Sequence, residues 1–561
     1  MMIKVNGKKL ISTLGVIVLL TLITSTFYYS LKEEGNITSE IISEASEIMG
    51  LKFTRSEIDS MRGDLNDLLG NYEKLREIDL PNSVPPAFSF SAILPGMKFK
   101  ENPPNLSYKR PTGVRRPQNL EDVAFWTVTQ LAELIRTGQV TSVELTEMYL
   151  SRLKKYGSTL QCVITLTEDL AMKQARQADA DIRSGNYKGP LHGIPWGAKD
   201  LLATDGIRTT WGGMPFREQL FDYDATVVKK LEEAGAILVA KLTMGALAWG
   251  DVWYGGKTKN PWNLDEGSSG SSAGPGAATS AGLVGFAIGS ETWGSIISPS
   301  TRTGVTGLRP TYGMVSRHGV MALSWTMDKL GPMTRSVNDA ALVFNEIYGP
   351  DGLDLTVEDM PFNYNQKVNL RKIKIGYLKS EFEKERDQKK IDDEVVDVLW
   401  SLGAELIPIE LPDFPVFDIS FILSAEAAAA FDELTRSGDD DLLVRQIKQA
   451  WPNVFRQARL IPAVEYINAN RARTLLMRQM EVLFKEIDVF VAPTFGGNSL
   501  LMTNLTGHPA VVVPNGFREN NTPTSITFTG NLYEDGMVLA VAGAYQDATS
   551  FHLKHPTLPE K

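Results

Sequence analysis

The chain has 561 residues and a formal net charge of −10, with acidic and basic residues interspersed along it. A nucleic-acid-binding surface would need a basic stripe, so we expect no nucleic-acid partner. One cysteine, Cys162, and five histidines without metal-ligand spacing exclude a disulfide framework and a structural zinc site, and we expect no metal. Any catalytic chemistry must therefore use serine, lysine, carboxylate or backbone groups.

The first 31 residues have the pattern of an export signal. Lys4, Lys8 and Lys9 precede an uncharged, mostly apolar segment at residues 10–30. About twenty such residues suffice for a transmembrane helix, and the flanking lysines predict a cytoplasmic N-terminus. A cleaved signal peptide is the competing interpretation. Either way, we expect an exported protein, periplasmic or otherwise extracytoplasmic, which is secreted or stays anchored to the membrane if the segment is uncleaved.

Residues 32–118 are predicted to form a helical extension and a proline-rich connector. Apolar residues recur at helical spacing over residues 38–78, which predicts two amphipathic helices broken near Gly50. They could pack on the rest of the chain or on a partner. Repeated prolines over residues 81–111 predict an extended connector along the surface.

The remaining chain has the alternation typical of an α/β domain, predicted over residues 119–555 with a tail at 556–561. Thr141 and Glu144 form a capping-box pattern that begins a helix, and residues 171–184 predict another helix. Short apolar runs predict strands of a largely buried sheet at residues 237–240, 373–377, 489–492 and 510–513.

Residues 270–310 contain glycine, alanine, serine and threonine at high density, which predicts close backbone approach to a ligand or a developing charge. A P-loop is excluded because Asp251 occupies the position of its first glycine. Residues 270–274 match the G-x-S-x-G nucleophile elbow, but the turn-rich segment 260–267 stands where a strand should precede it. Catalysis by a lysine base remains as the third hypothesis.

Lys199 lies in a nearly uncharged, tightly turning stretch. A free lysine has a pKa of about 10.4, and burial among apolar neighbours can lower it enough for the amine to act as a base. Along an extended chain Asp200 would point to the opposite face and would not hold Lys199 protonated. From the spacing alone, a structural lysine explains the pattern equally well.

Three separated motifs, GIPWGAKD at 193–200, GSSAG at 270–274 and GSETWGSI at 289–296, resemble the amidase signature family. That family includes fatty acid amide hydrolase, bacterial peptide amidases and the A subunit of the glutamyl-tRNA amidotransferase. The similarity covers roughly residues 120–555. It implies an α/β/α fold, in which helices cover both faces of a central mixed β-sheet, and chemistry that requires no cofactor.

Carried over residue by residue, the resemblance implies a Ser–cis-Ser–Lys triad. Ser295 would be the nucleophile, Ser271 the bridging serine with a cis peptide bond, and Lys199 the base, while Ser272 would support Lys199 by a hydrogen bond. The oxyanion would be stabilised by backbone N–H groups, those of Thr292, Trp293, Gly294 and Ser295.

The chain departs from the common family pattern G-T-D-T-G-G-S-I-R most clearly where it has Glu291 for the aspartate, Trp293 for the first glycine of the G-G pair and Ile297 for the arginine. Trp293 places a bulky side chain near the acyl site and would shape the substrate pocket, unless it packs into the core. Trp253 and Tyr254 are further candidates for lining that pocket, and packing explains them equally well.

The resulting prediction is a serine amidohydrolase that cleaves a carboxamide C–N bond to a carboxylate plus ammonia or an amine, through an acyl-enzyme. Its substrate would be a small-molecule or peptide amide, and a homodimer is an assembly that we keep open. One alternative is a glutaminase resembling the A subunit of the glutamyl-tRNA(Gln)/aspartyl-tRNA(Asn) amidotransferases, although the apolar segment argues against that cytoplasmic role. The other is a catalytically silent binding protein with the same fold.

Overall fold

A computed structural model describes residues 37–99 and 103–559. The predicted export segment, residues 1–31, lies outside these residues, as do the last two residues of the predicted tail. None of the helices described is long and apolar enough to cross a membrane. The described chain divides into two compact units, one up to Leu80 and one from Pro81 onward.

The smaller unit confirms the two helices predicted around Gly50. They are α1 (Ser39–Ile48) and α2 (Arg55–Leu75), and a capping box between Thr54 and Glu57 begins α2. Ile42 and Ile58 are buried. Other apolar side chains of the predicted stripes are exposed, namely Ile41, Ile48, Leu68, Tyr72 and Leu75.

The larger unit begins with the proline-rich segment, which is only partly at the surface. Ala92 and Leu94 are buried, and the ring of Phe90 packs edge-on against Tyr312 at 5.1 Å. A short strand that the prolines did not predict, β1 (Asn105–Ser107), pairs in parallel with residues 363–365. The apolar side chains between the prolines explain why this segment packs onto the unit.

The helices of the larger unit follow in chain order. They are α3 (Val128–Arg136), α4 (Ser142–Leu160), α5 (Glu168–Arg183), α6 (Thr226–Glu233), α7 (Ala273–Ser280), α8 (Ile297–Thr303), α9 (Val337–Ile347), α10 (Lys379–Glu383), α11 (Lys389–Ser401), α12 (Phe421–Ala430), α13 (Asp432–Ser437), α14 (Trp451–Ala458), α15 (Ala463–Glu486), α16 (Ser499–Thr506) and α17 (Asp535–Thr549). The predicted capping box of α4 is present, because Thr141 and Glu144 each accept a hydrogen bond from the other's backbone N–H.

The strands after β1 are short. They are β2 (Val163–Leu166), β3 (Pro195–Lys199), β4 (Ile237–Leu242), β5 (Val252–Trp253), β6 (Gly256–Lys257), β7 (Lys259–Asn260), β8 (Asn263–Gly267), β9 (Phe286–Glu291), β10 (Thr306–Arg309), β11 (Lys329–Thr334), β12 (Asn363–Asn365), β13 (Lys374–Leu378), β14 (Glu405–Ile409), β15 (Val489–Pro493), β16 (Ala510–Phe517) and β17 (Pro523–Gly530). The four apolar runs singled out in the sequence form β4, β13, β15 and β16.

Within the described residues, eleven strands form one mixed sheet in the order β14-β13-β15-β17-β16-β10-β11-β9-β3-β4-β2. The pairs β3–β4, β3–β9, β13–β14 and β13–β15 are parallel, and the other neighbours are antiparallel. Helices cover the sheet, so the predicted α/β/α class is confirmed. Because β3 and β9 are parallel neighbours, with Ala198 opposite Ile288, their carboxyl ends at residues 199 and 291 lie at the same edge of the sheet.

Candidate active site

Three segments predicted to carry the chemistry meet at the carboxyl ends of β3 and β9. Lys199 is the last residue of β3, whose five residues are all buried. Ser271 and Ser272 immediately precede α7, and Ser295 lies in the turn between β9 and α8. The sheet therefore brings to one edge chain segments that are up to 96 positions apart in the sequence.

Lys199 is fully buried and is surrounded by serine oxygens. Its Nζ lies 2.7 Å from Ser271 Oγ, 3.1 Å from Ser272 Oγ and 2.8 Å from Ser290 Oγ. The contacts with Ser271 and Ser272 join the residues that the sequence singled out. Ser290 was missed, although its place in the small-residue segment, at the end of a strand next to β3, was a usable signal.

Burial lowers the pKa of Lys199 well below its ordinary value of 10.5. The negative charges of Asp328 and Glu291 act in the opposite direction but do not compensate for the loss of hydration. Asp200 does not pair with Lys199: it accepts hydrogen bonds from Thr210 and lies 3.3 Å from Lys241. Asp200 therefore does not hold Lys199 protonated, as the sequence indicated, and Lys199 has the environment of a neutral amine.

The backbone around the first serine pair is tightly held. The peptide bond between Gly270 and Ser271 is cis. A Cβ on Gly270 would lie 1.8 Å from the carbonyl oxygen of Gly250, so only glycine fits there. Ser272 donates its backbone N–H to the carbonyl of Ser295 at 3.1 Å, which ties the serine segment to the turn that carries Ser295.

Ser295 is half-buried, and its hydroxyl has no hydrogen-bond partner within the described chain. It follows Gly294, whose φ of 92° requires a residue without a side chain. The backbone N–H groups of Trp293, Gly294 and Ser295 donate to no atom of the described residues. The turn therefore presents a free hydroxyl together with free N–H donors.

Glu291 fixes the end of the turn between β9 and α8. Its Oε2 accepts the backbone N–H groups of Ile296 and Ile297 at 2.8 and 2.9 Å, and its Oε1 accepts from Arg309 and Asn504 at 3.0 and 2.9 Å. Burial alone would raise the pKa of Glu291, but Arg309 and these hydrogen bonds hold it below its ordinary value. Glu291, which stands where the family pattern has an aspartate, is thus charged and fixes the backbone of the two residues that follow Ser295. We call it the clamp of the turn.

Asp328 accepts a hydrogen bond from Thr292, at the start of the same turn. Its Oδ1 lies 2.5 Å from the hydroxyl of Thr292, and its Oδ2 accepts the backbone N–H groups of Leu323 and Ser324. Burial raises the pKa of Asp328. Its position is set by β11, where the next residue, Lys329, pairs with Glu291.

The predicted pocket residues fall into two separate groups. Trp293 is 37% exposed, and its ring lies 6.1 Å from that of Phe417, which is itself exposed, so Trp293 does not pack into the core. Trp253 is buried and packs edge-on against Tyr254 at 5.0 Å. The structure places no ring of this second pair against Trp293. The sequence offered no signal that Phe417 lies next to Trp293.

The nucleophile-elbow hypothesis finds no support in this geometry. All five histidines are within the described chain, and none is hydrogen-bonded to Ser271, Ser272 or Ser295. His192 and His508 are buried elsewhere. Nδ1 of His192 accepts a hydrogen bond from the backbone N–H of Lys188, and Nδ1 of His508 lies 2.8 Å from the hydroxyl of Thr506. Among residues 37–99 and 103–559, no cluster of histidine, cysteine and carboxylate side chains is able to hold a metal ion.

Comparison with known proteins gives the same family as the motifs. The family model described as Amidase matches residues 144–539. The chain belongs to the amidase signature family. It is 31% identical to the A subunit of the glutamyl-tRNA(Gln) amidotransferase of Carboxydothermus hydrogenoformans over 485 residues, which is 78% of this chain and all of that protein.

Solved structures of the family have the same fold. The native peptide amidase from Stenotrophomonas maltophilia superposes with a TM-score of 0.70 at 28% identity, covering 78% of this chain and 99% of that one. An amidase family protein from Bacillus anthracis gives a TM-score of 0.70 at 26% identity, covering 79% and 93%. This family membership supports amide hydrolysis as the general chemistry of the chain.

Proposed function

We propose that the chain is a serine amidohydrolase that uses Ser295 as nucleophile, Ser271 as proton bridge and Lys199 as base. The observation that carries the proposal is the position of the Lys199 amine. It is fully buried, forms no ion pair with a carboxylate of the described residues, and lies 2.7 Å from the Ser271 hydroxyl. A neutral amine accepts a proton from Ser271 while Ser271 accepts one from Ser295. The Ser295 oxygen is then free to attack an amide carbonyl carbon.

Attack forms the bond between Ser295 Oγ and the carbonyl carbon, and the negative charge moves to the carbonyl oxygen. The N–H groups of Trp293, Gly294 and Ser295 are available to donate to that oxygen, and each such donor typically contributes about 10²–10³ in rate. Collapse breaks the C–N bond, and the proton held by Lys199 returns through Ser271 to the departing nitrogen. Water then hydrolyses the acyl-enzyme to a carboxylate and restores Ser295.

The aromatic pair Trp293 and Phe417 supports an apolar or aromatic group on the substrate, such as an aryl amide or a peptide amide. Trp293 immediately precedes Gly294 and Ser295 and its ring is exposed, and we propose that the ring contacts the acyl group of the substrate. Aromatic contacts of this kind contribute about 0.5–1.5 kcal/mol beyond simple burial. The Trp253 and Tyr254 pair is our candidate for the leaving-group side.

A fluorophosphonate reagent tests the catalytic assignment, because it forms a covalent adduct with an activated serine. We expect the adduct on Ser295 and its loss in Lys199→Met, which keeps an unbranched apolar side chain, one heavy atom shorter, but removes the amine. Ser298→Ala is the matched control, since Ser298 is a half-buried serine at the start of α8 whose hydroxyl contacts Ser269 at 2.6 Å. An adduct on Ser272, or full labelling of Ser295 in a folded Lys199→Met protein, would refute the assignment.

Turnover of amides separates the enzyme from its alternatives. Hydrolysis of aryl or peptide amides by the purified chain supports the proposal. Amide binding without turnover or labelling, in a folded protein, supports the catalytically silent binding protein.

A second candidate is a glutaminase of the amidotransferase type. It is favoured by the 31% identity to the whole A subunit of a glutamyl-tRNA(Gln) amidotransferase. This candidate predicts hydrolysis of glutamine only when amidotransferase partner subunits and charged tRNA are added. Activity of the isolated chain on amides other than glutamine contradicts it.

We also propose that the chain is exported and that residues 10–30 direct this step. The support is the sequence pattern alone: three lysines followed by an uncharged apolar segment. Fractionation of cells that express the full chain tests the proposal. The molecular mass of the recovered protein distinguishes a cleaved signal peptide from an uncleaved membrane anchor. Recovery of the whole chain in the cytoplasm would refute export.

Whether the protein forms a homodimer is a separate question. Sedimentation of the detergent-free and detergent-solubilised protein tests it.

A further inference from the structure

A small cavity lies away from the candidate active site, between the end of α7, the residues after α8 and the C-terminal segment. Its cavity volume is about 20 Å³, room for one water-sized group or small ion, and it is partly open to solvent. None of its ten lining residues is acidic, and four carry a guanidinium, an ammonium or an imidazole. These four are Arg335, His552, Lys554 and His555.

Arg335 is a buried cation without a carboxylate bonded to it. Its Nη1 donates to the carbonyl of Gly285, and its Nη2 donates to the carbonyls of Ala124 and Val284. Asp339 and Tyr149 act on it only from a greater distance, and burial lowers its pKa. A buried charge that is neutralised only by carbonyl dipoles is costly, and an anion beside it would offset that cost.

Three polar atoms on the cavity lining have no partner within the described residues: Arg335 Nε, Ser280 Oγ and His552 Nδ1. Ser280 is 94% buried, so its hydroxyl has little access to bulk water unless the cavity supplies a partner. A guanidinium N–H, a hydroxyl and an imidazole N–H in the appropriate tautomer are all donors. Unpaired buried donors beside a cation form the donor set that an anion needs.

We propose that this cavity binds a small monovalent anion, either a halide or a short carboxylate. Arg335 would supply the charge, and Ser280 and His552 would supply hydrogen bonds. The His555 ring, stacked on Phe125 at 3.8 Å, closes one side of the cavity. An anion held there would link the C-terminal segment to α7 and would stabilise the folded chain without taking part in amide hydrolysis.

Thermal unfolding of the full chain at constant ionic strength tests the proposal, with sodium gluconate replaced stepwise by sodium bromide or sodium formate. We expect the Tm to rise and then follow the logarithm of the ligand concentration, because a ligand that binds only the folded state stabilises it by mass action. Bromide and formate as separate series distinguish a halide from a carboxylate site. Anomalous scattering from crystals grown in bromide should place the ion within hydrogen-bonding distance of Ser280 Oγ and Arg335 Nε.

Variants of the lining make the test specific. Ser280→Ala should weaken the apparent affinity about tenfold, the usual value of one hydrogen bond to a charged group. His552→Phe is the second variant, should the first fail to fold. Leu553→Ala is the matched control, because Leu553 lines the same cavity without a polar side-chain atom. Water alone both in crystals grown in bromide and in crystals grown in formate, or an unchanged Tm response in Ser280→Ala and His552→Phe, would overturn the proposal.

Discussion

Replacing Glu291 with glutamine removes one buried charge while keeping the shape of the side chain. The carboxylate accepts four hydrogen bonds, two on Oε2 from the turn and two on Oε1 from Arg309 and Asn504. A glutamine has one oxygen and one NH2 group, so two of these donors must face another donor. In addition, Arg309 is fully buried and loses its only carboxylate partner among the described residues.

Breaking a buried ion pair by removing one partner costs about 3–5 kcal/mol. We therefore expect Glu291→Gln to lower the free energy of unfolding by an amount in that range, measured by urea unfolding. The turn that carries Ser295 loses its clamp, so kcat should fall about 10²-fold or more, the effect of one misplaced oxyanion donor, while KM changes little. Glu291→Asp keeps the charge and should recover part of both losses.

Acid should produce the same loss in the unaltered protein. The pKa of Glu291 is lower in the folded state than its ordinary value of 4.5, so its charge contributes stability above that value. This contribution disappears as the pH falls through the folded-state pKa. The glutamine variant should show a weaker acid dependence of stability, because it has no carboxyl group there to protonate.

Glu266→Gln is the matched control for this experiment. Glu266 pairs with Arg302 at 2.8 Å, but the side chains are 30% and 47% exposed. Surface pairs contribute about 0–1 kcal/mol, so its loss should lower the free energy of unfolding by about 1 kcal/mol at most and leave kcat unchanged. Unchanged kcat and an unchanged urea midpoint in Glu291→Gln would refute the assignment of Glu291 as the clamp of the turn.

Three further predictions follow from the site. Asp328 raises the pKa of Lys199, so Asp328→Asn should shift the acid limb of kcat/KM to lower pH, and an unshifted limb would argue against Lys199 as the base. Trp293→Ala should lower kcat/KM for aryl amides about tenfold relative to acetamide, as should Phe417→Ala, and equal losses on both substrates would contradict an aromatic acyl site. Burial raises the pKa of Cys162 to about 12, so iodoacetamide should leave activity intact; rapid inactivation would show that the thiol is accessible.

The sequence predicted the parts of the site that depend on local pattern. Lys199 was singled out because its neighbours are uncharged, which favours burial of the amine. The stretch was interpreted as tightly turning, whereas the structure shows that residues 195–199 form the buried strand β3, with Lys199 at its carboxyl end. The hydrophobic runs of β4, β13, β15 and β16 were similarly readable, because a strand buried on both faces is apolar at successive positions.

The sequence did not predict the role of Glu291 as the clamp of the turn, because its partners are brought together only by the tertiary fold. Arg309 is 18 positions from Glu291, and Asn504 is 213 positions away. Phe417 is likewise far in sequence from Trp293. No periodicity or spacing rule connects such residues, so the chain alone indicated an unusual glutamate without its role.

The glycines of residues 270–310 were correctly predicted to allow close approach of the backbone. The sequence did not show what the backbone approaches. Close backbone approach was expected, with a ligand or a developing charge as the neighbour. In the structure the neighbours are the protein's own atoms: a Cβ on Gly274 would lie 2.4 Å from Thr243 N, and one on Gly289 would lie 2.8 Å from Ser272 Oγ. Gly274 lets α7 approach the residue after β4, and Gly289 lets β9 approach Ser272, so that Lys199 reaches Ser271, Ser272 and Ser290 together. Gly289→Ala should therefore displace Ser272 and lower kcat even though position 289 touches no substrate, and full activity in that variant would show that the serine cluster tolerates a wider spacing.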